Sequence, residues 1–402
     1  MRLRHLVIVG ATVVLSACAV GTDNNTTYSK NISPGLSGVG DLPAPASAWP
    51  AAGYDARHSS ATKVVGPQTA RVKWQVDLGG DLTPGPVIGV DGSVLAASNS
   101  GTLYALDPAD GKQRWKYDGG GSYGDDLSTS PAVLADGTIL WPGPGNTLYA
   151  LSKSGSLLWK ERFAGLVLSP AVAGGNRVYV ADRAGHLAAL TVAGATHRRV
   201  WEVSFGGTDY GSPTVGTDGT VFTASDKDLV AIRDLGGQGA VLWRFHAKKM
   251  VEVSSAVGPD GTVLLGTNHD KQFGISAGGT ILWSLDIGDY TYSSSVVRPD
   301  GTGYFGDNMG RLRIINNANG KVVQTITPLG KPNQEKIWTA PVVDARSDVY
   351  WATTRGNVYG YSRSGAPLFR FRADAGVNSY PALGGDGTLY FGSTSGTFYA
   401  LR

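Results

Sequence analysis

From residue 71 onward the chain alternates short apolar runs with glycine-rich polar turns, and the alternation itself repeats. One unit is GTLYALDPADGKQRWKY (101–117): an apolar strand, a turn built on Asp107, Pro108 and Gly111, and a second strand carrying Trp115. It returns around Trp159, Trp201, Trp243 and Trp283, at spacings of 44, 42, 42 and 40 residues. Each copy is preceded by a small-residue strand that runs into a turn, usually Asp-Gly, as in SPAVLADGT (130–138), SPTVGTDGT (212–220) and YPALGGDGT (380–388). Asp-Gly between alternating strands favours a tight hairpin because glycine accepts positive φ. Four short strands per repeat of about forty residues predict a β-propeller blade, a unit that must stack on its neighbours to bury both faces.

Eight small-residue strands can be counted, and the eighth unit stops after its third strand, GTFYAL (396–401). An orphan fourth strand with Trp74, RVKWQVDL (71–78), stands ahead of the first unit and fits the vacancy. The expected fold is all-β: an eight-bladed propeller whose N-terminal strand completes the C-terminal blade, with a seven-bladed ring as the alternative. Closure of this kind leaves no open edge in the ring. The tryptophans Trp74, Trp115, Trp159, Trp201, Trp243 and Trp283 read as packing anchors between sheets. Two repeats depart from the rule, with Gln324 and Phe369 at the anchor position.

The first 48 residues follow a different pattern. Arg2, Arg4 and His5 precede an apolar run, Leu6 to Leu15, and then Leu15-Ser16-Ala17-Cys18. A charged start and so short a run predict an export signal over 1–17. The four residues that end it resemble a bacterial lipobox, which implies acylation of Cys18, the only cysteine in the chain. Ala19 after the cysteine implies sorting to the outer membrane, on its periplasmic face. Residues 18–48 are rich in Thr, Ser, Asn, Gly and Pro and read as a solvated tether, roughly 30 Å long on average. Residues 49–402 are expected to form the single propeller domain. Loss of Arg2 and Arg4 with the signal leaves 33 basic against 32 acidic residues, too even a balance to hold nucleic acid.

The G-x-L-Y-A-L-D-x-x-x-G-x-x-x-W pattern resembles the PQQ-like repeat, the blade sequence of quinoprotein dehydrogenases and of non-enzymatic relatives. Signal, tether and one propeller in about 400 residues resemble the BamB lipoproteins of the outer-membrane β-barrel assembly machine. That resemblance implies a monomeric scaffold within an envelope complex, binding partner proteins and carrying no cofactor. The opening WPAAGYDARHSS (49–60) also resembles the start of a broader group of exported PQQ-repeat proteins. Two alternatives stay open: a module for an envelope glycan or small ligand, and an oxidoreductase using PQQ with calcium. The enzymes imply a pair of adjacent cysteines and a Glu, Asn and Asp set for calcium. This chain lacks the pair, and nothing in the spacing of Glu252, Asn268 and Asp307 selects them.

Propeller function normally lives in the loops of one rim. The connections between blades bring Tyr123, Tyr210, Tyr290, Tyr292, Trp338 and Tyr380, with charges beside them that include Asp126 and Glu335. The turns between second and third strands should open on the same face, and they add Arg355 and Asn268-His269-Asp270. Aromatics mixed with both signs of charge suit a protein-contact surface; the competing reading is that the aromatics plug the channel and the charges solvate the loops. Adjacent residues on one turn seldom converge on a metal, so 268–270 read as a solvated turn. The longest such loop, 327–338, adjoins the two irregular repeats. No catalytic triad or metal-ligand spacing stands out, and no catalytic residue is expected.

Overall fold

The computed structural model describes residues 25–27, 35–42, 47–123, 129–208, 211–328 and 335–402. Every element in them is a strand, and the strands form eight antiparallel sheets ordered around one ring. In blade 1 the order from the axis outward is Val87–Ile88, Val94–Ser98, Thr102–Leu106 and Gln113–Asp118. Blades 2 to 7 repeat it, with outer strands Leu157–Arg162, Thr196–Ser204, Gly239–His246, Ile281–Asp286, Val322–Ile326 and Pro367–Arg372. Second strands such as Val94–Ser98 are buried throughout, because a blade is covered on both faces. Blade 8 takes three strands from the C-terminus and its outer strand, Val72–Asp77, from the N-terminus. The ring therefore has eight blades and closes as the sequence predicts.

Each anchor indole donates from Nε1 to the turn between third and outer strands of the next blade. Trp115 reaches Lys153 O at 3.0 Å, Trp243 reaches Ala277 O at 2.9 Å and Trp283 reaches Asn317 O at 2.7 Å. The ring lies on a turn glycine: a Cβ on Gly155, whose φ is +83°, would stand 2.6 Å from Trp115. Trp74 does the same across the closure, donating to Pro108 O at 3.0 Å.

The two departures have physical causes. Gln324 keeps the bond, its Nε2 donating to Ser364 O at 3.2 Å, and loses only the ring. Phe369 faces blade 8, where the chain is interrupted between third and outer strands and its ends meet through Arg402 N to Arg71 O, 2.8 Å. The phenyl ring stacks on Tyr350 of its own blade, centroids 6.0 Å apart, and makes no use of an acceptor across that break. Replacement of Gln324 by Trp restores apolar cover over the Gly365 turn. We expect a gain of about 1 kcal/mol in denaturant unfolding for Gln324→Trp and none for Phe369→Trp.

The segment ahead of the ring departs from a solvated tether. Val39 is buried, Leu36 N donates to Asp234 O at 2.6 Å, and the Arg57 guanidinium donates to Gly40 O, so residues 35–42 pack under blades 3 and 4. Asn25–Thr27 adds a fifth strand to the outer edge of blade 4, pairing antiparallel with Trp243–Phe245.

Residues 49–64 form a belt across the mouth of the channel, on the face opposite the loops between blades. Their carbonyls accept inner-strand N–H groups from five blades: Trp49 O from Ile88, Pro50 O from Val133, Ala56 O from Val215, Arg57 O from Val257 and His58 O from Val297, at 2.7–3.2 Å. Ser60 Oγ accepts from Val343 N of blade 7 at 2.9 Å. Sequence reasoning left this segment without a role.

Candidate functional site on the open face

With one mouth belted, the rim of inter-blade loops is the open face. Ser130, Ser169, Ser212, Ser254 and Ser294 start the inner strands of blades 2 to 6 and line the channel beneath it. Ser169 Oγ, Ser254 Oγ and Ser294 Oγ each accept the N–H of the preceding blade's serine at 2.7–3.2 Å. Tyr380 of blade 8 reaches across to blade 6, its hydroxyl 2.8 Å from Ser294 Oγ. Burial raises the Tyr380 pKa, so this bridge is a neutral phenol. Tyr380 is thus a strut in the channel, in keeping with the plug reading rather than with a contact role.

The remaining candidates separate in the same way. Tyr123 is 6 % exposed and its hydroxyl donates to Pro142 O, which places it in the core between blades 1 and 2. Glu335 turns toward blade 7, accepting the Tyr359 hydroxyl at 2.7 Å with Arg370 at 4.0 Å. Arg355 is exposed on a turn of blade 7. Asp126, Tyr210 and Cys18 lie outside the described residues.

Three of the aromatics do come together. Tyr290 and Tyr292 arrive on the connection from blade 5 to blade 6, and Trp338 on the connection from blade 6 to blade 7. Tyr292 meets Trp338 edge to face with centroids 5.7 Å apart, and Tyr290, 44 % exposed, lies 5.0 Å from the His269 ring. Asn308, on the intervening turn of blade 6, ties the group together: its N–H donates to Tyr290 O at 3.0 Å and its Oδ1 accepts from Trp338 Nε1 at 3.2 Å. Lys336 stands 5.7 Å from the Trp338 ring centroid, a cation–π contact at the patch border. On the other side Glu252 accepts from Asn268 Nδ2 at 3.0 Å. Partial burial, then the Glu252 charge, raise the Tyr292 pKa, so its hydroxyl is neutral at physiological pH. Sequence named the three aromatics and placed Asn308 among the second- to third-strand turns on the same face, but gave it no part in joining them.

The residues present do not match a calcium–quinone site. Glu252 and Asn268 are paired with each other, and Asp307 is drawn to Arg311 Nε at 2.7 Å and Arg313 Nε at 3.6 Å. Burial raises the Asp307 pKa in spite of those arginines. Cys18 is the only cysteine, so a vicinal pair cannot form. Among the described residues no three metal-ligating side chains converge, and His269 sits 3.8 Å from Asp270 on a solvated turn.

A family model described as outer membrane protein assembly factor BamB matches residues 59–125, 121–196 and 192–402. The chain belongs to the BamB family. No curated protein matches it. Among solved structures, BamB from Moraxella catarrhalis superposes with a TM-score of 0.65 at 15% identity, over 83% of this chain and 99% of that one. The quinohemoprotein alcohol dehydrogenase of Comamonas testosteroni gives 0.71 at 13% identity, over 89% and 80%. Sqt1 of Saccharomyces cerevisiae gives 0.69 at 13% identity, over 83% and 99%. At such identities the structural likenesses speak for the propeller alone; the BamB assignment comes from the family model.

Proposed function

We propose that this BamB-family chain is a non-catalytic scaffold, anchored through acylated Cys18 to the periplasmic face of the outer membrane. In this reading it holds a partner protein of the β-barrel assembly machine against the patch of Tyr290, Tyr292 and Trp338. The observation that carries the proposal is that patch: three aromatics from two inter-blade connections, cross-braced by Asn308 and bordered by Lys336 and Glu252, on the face that the belt leaves open. Aromatic anchors held rigidly and rimmed by both charge signs are the usual centres of protein interfaces. The channel beneath is spanned by Tyr380, which favours a surface contact over a ligand held on the axis. Family membership supports the assembly role, and the poor match to a quinone site supports the absence of catalysis. Co-purification from detergent-solubilised envelope, with and without alanine at the three aromatic positions, tests it.

A further inference from the structure

On the belted face, each pair of neighbouring blades encloses a seam between their inner hairpins and the turn that precedes the second blade's outer strand. The chain ahead of the ring fills two of these seams. Between blades 3 and 4, residues 36–42 lie against both hairpins: a Cβ on Gly174 would stand 2.1 Å from Gly38 O, and one on Gly40 would stand 2.4 Å from Thr217 O. Between blades 7 and 8, Ala345 N donates to Val64 O at 2.9 Å, and a Cβ on Gly66 would stand 2.6 Å from the Tyr350 ring. In both seams a buried tyrosine of the second strand gives its hydroxyl to a carboxylate. Tyr179 reaches Asp234 at 2.9 Å and Tyr350 reaches Asp344 at 3.2 Å.

The seam of blades 8 and 1 is built on the same plan and encloses a cavity of about 490 Å³. Tyr390 stands opposite Ala382 of its inner strand, as Tyr179 and Tyr350 stand opposite Ala171 and Val342. It is fully buried, and among the described residues its hydroxyl has no hydrogen-bond partner. The Thr388 hydroxyl close by donates to Asp386 at 2.9 Å instead. Burial raises the Tyr390 pKa, so the group is a neutral phenol. Ala48, Ile88, Val90, Pro108 and Ala109 give the cavity apolar walls, and Lys73 and Asp386 neutralise each other beside it at 2.9 Å. The atoms that hold polypeptide in the filled seams are spent or missing here. Leu36 N donates to Asp234 O, whereas the corresponding Pro108 O already accepts Lys73 Nζ at 2.7 Å and Trp74 Nε1 at 3.0 Å. Gly66 N donates to the Asp344 carboxylate at 2.9 Å, and Gly384 takes the place of that aspartate in blade 8. A smaller cavity between blades 2 and 3, about 250 Å³, has Leu140 where Tyr390 stands.

We propose that the seam of blades 8 and 1 binds a small, uncharged, mostly apolar molecule of one or two rings, whose single oxygen acceptor takes the Tyr390 hydroxyl. Cavities of roughly 300–1,000 Å³ with apolar walls and a few polar groups are the usual small-molecule sites. A buried donor without an acceptor carries a desolvation cost, which an oxygen of the ligand relieves. The Lys73–Asp386 pair leaves the wall without net charge, so a charged molecule gains nothing there to offset its own desolvation. A peptide segment brings N–H and C=O groups that these walls do not match. The site lies on the belted face, apart from the aromatic patch, and does not rest on the scaffold reading.

The probe is prodan, an uncharged naphthyl ketone whose emission shifts to the blue in an apolar site. It is titrated into the mature chain carrying Cys18→Ala, which stays unacylated, because detergent would itself take up the probe. The expected result is saturable, blue-shifted binding at one site. Tyr390→Phe should weaken it about tenfold and reduce the shift, with the unfolding transition no lower than the parent's, since the lost hydroxyl has no partner. Gly385→Leu should abolish binding by filling the cavity: a Cβ there meets only Ala48, at 3.7 Å, and the backbone is not left-handed. Alanine at Tyr290, Tyr292 and Trp338 should leave binding intact. The proposal is overturned if no saturable binding is seen, if both seam variants bind as the parent does, or if the three alanines remove binding. Displacement of prodan by the peptides LSGVGDL or VVGPQ, copies of the segments that fill the other seams, also overturns it, because the occupant is then a polypeptide.

Discussion

Asp234→Ala should lower the stability of the propeller by about 3–5 kcal/mol, the cost of stripping one partner from a buried, hydrogen-bonded ion pair. Asp234 ends the third strand of blade 4, beside the turn that receives Trp201 from blade 3, and its side chain is fully buried. One oxygen accepts Trp201 Nε1 at 2.9 Å and Gly236 N at 2.7 Å; the other accepts the Tyr179 hydroxyl at 2.9 Å and faces Arg177 Nε at 2.8 Å. Arg177 has only 6 % of its side chain exposed, with Thr191 and Gly236 as its remaining partners. Alanine at 234 therefore leaves a guanidinium, an indole and a phenol without their acceptor in one place. In a scanning unfolding experiment the midpoint should fall by roughly 5 °C for a domain of this size. Arg177→Ala combined with Asp234→Ala should cost less than the two single changes added together, because the second removes the charge that the first strands. An additive result would show that the pair carries no coupling.

The second large effect is one of pH and belongs to the belt. His58 is 5 % exposed at φ +55°, its ring held by the backbone of Ser255, and burial lowers its pKa from 6.5 to about 4. Above pH 6.5 the imidazole is neutral whether the chain is folded or unfolded, and the full stability is present. As the pH falls toward 4 the unfolded chain takes up the proton and the folded chain resists it, so stability is lost across that window and levels off below it. The difference amounts to about 3 kcal/mol for this one group. Asp55 in the same belt works the other way. Burial raises its pKa despite bonds from Arg57 N, Ser59 N and the Ser59 hydroxyl, so its contribution grows as the pH drops. The neighbouring cations Arg57 and Arg298 give their bonds to Gly40, Ser60, Val343 and Asp344. Comparison with His58→Asn isolates the histidine, because asparagine tolerates the left-handed backbone and does not titrate. Urea unfolding at pH 7 and pH 4.5 should show a loss in the parent chain that exceeds the loss in His58→Asn. Equal losses would place the acid sensitivity elsewhere.

The ring was legible in the sequence because each blade repeats the same side-chain demands. Asp-Gly turns, alternating apolar strands and an indole that needs a carbonyl one blade away are all chemical requirements on particular positions. Even the exception at Phe369 follows from where the chain is cut. The belt makes no such demand. Trp49 O, Pro50 O and Ala56 O are main-chain acceptors that any residue supplies, so a segment with no periodicity can lace five inner strands unannounced. The same applies to Gly40 and Leu36, which bind through backbone inside a stretch whose composition reads as tether.

Site residues were legible in type and less so in placement. Composition could collect Tyr290, Tyr292 and Trp338 as rim aromatics, and the structure brings them into one patch. It could not separate them from Tyr123, whose hydroxyl points into a seam, or from Tyr380, which spans the channel. That separation depends on which carbonyl or hydroxyl lies within reach, a property of the assembled ring. Asn308 illustrates the same limit, since its importance lies in joining two connections that are 48 residues apart at Tyr290 and Trp338.

The most direct measurement of the scaffold account is co-purification from crosslinked, detergent-solubilised envelope, read by mass spectrometry, with three chains side by side. The acylated parent chain should recover the barrel-assembly machine. The chain with alanine at 290, 292 and 338 should lose that recovery, by tenfold or more, with its unfolding transition unchanged. A chain altered at exposed Val90, on the belted side of blade 1, should recover as much as the parent. Equal recovery by all three chains, or recovery of unrelated envelope proteins by the parent, would contradict the assignment of the open-face patch as the contact surface.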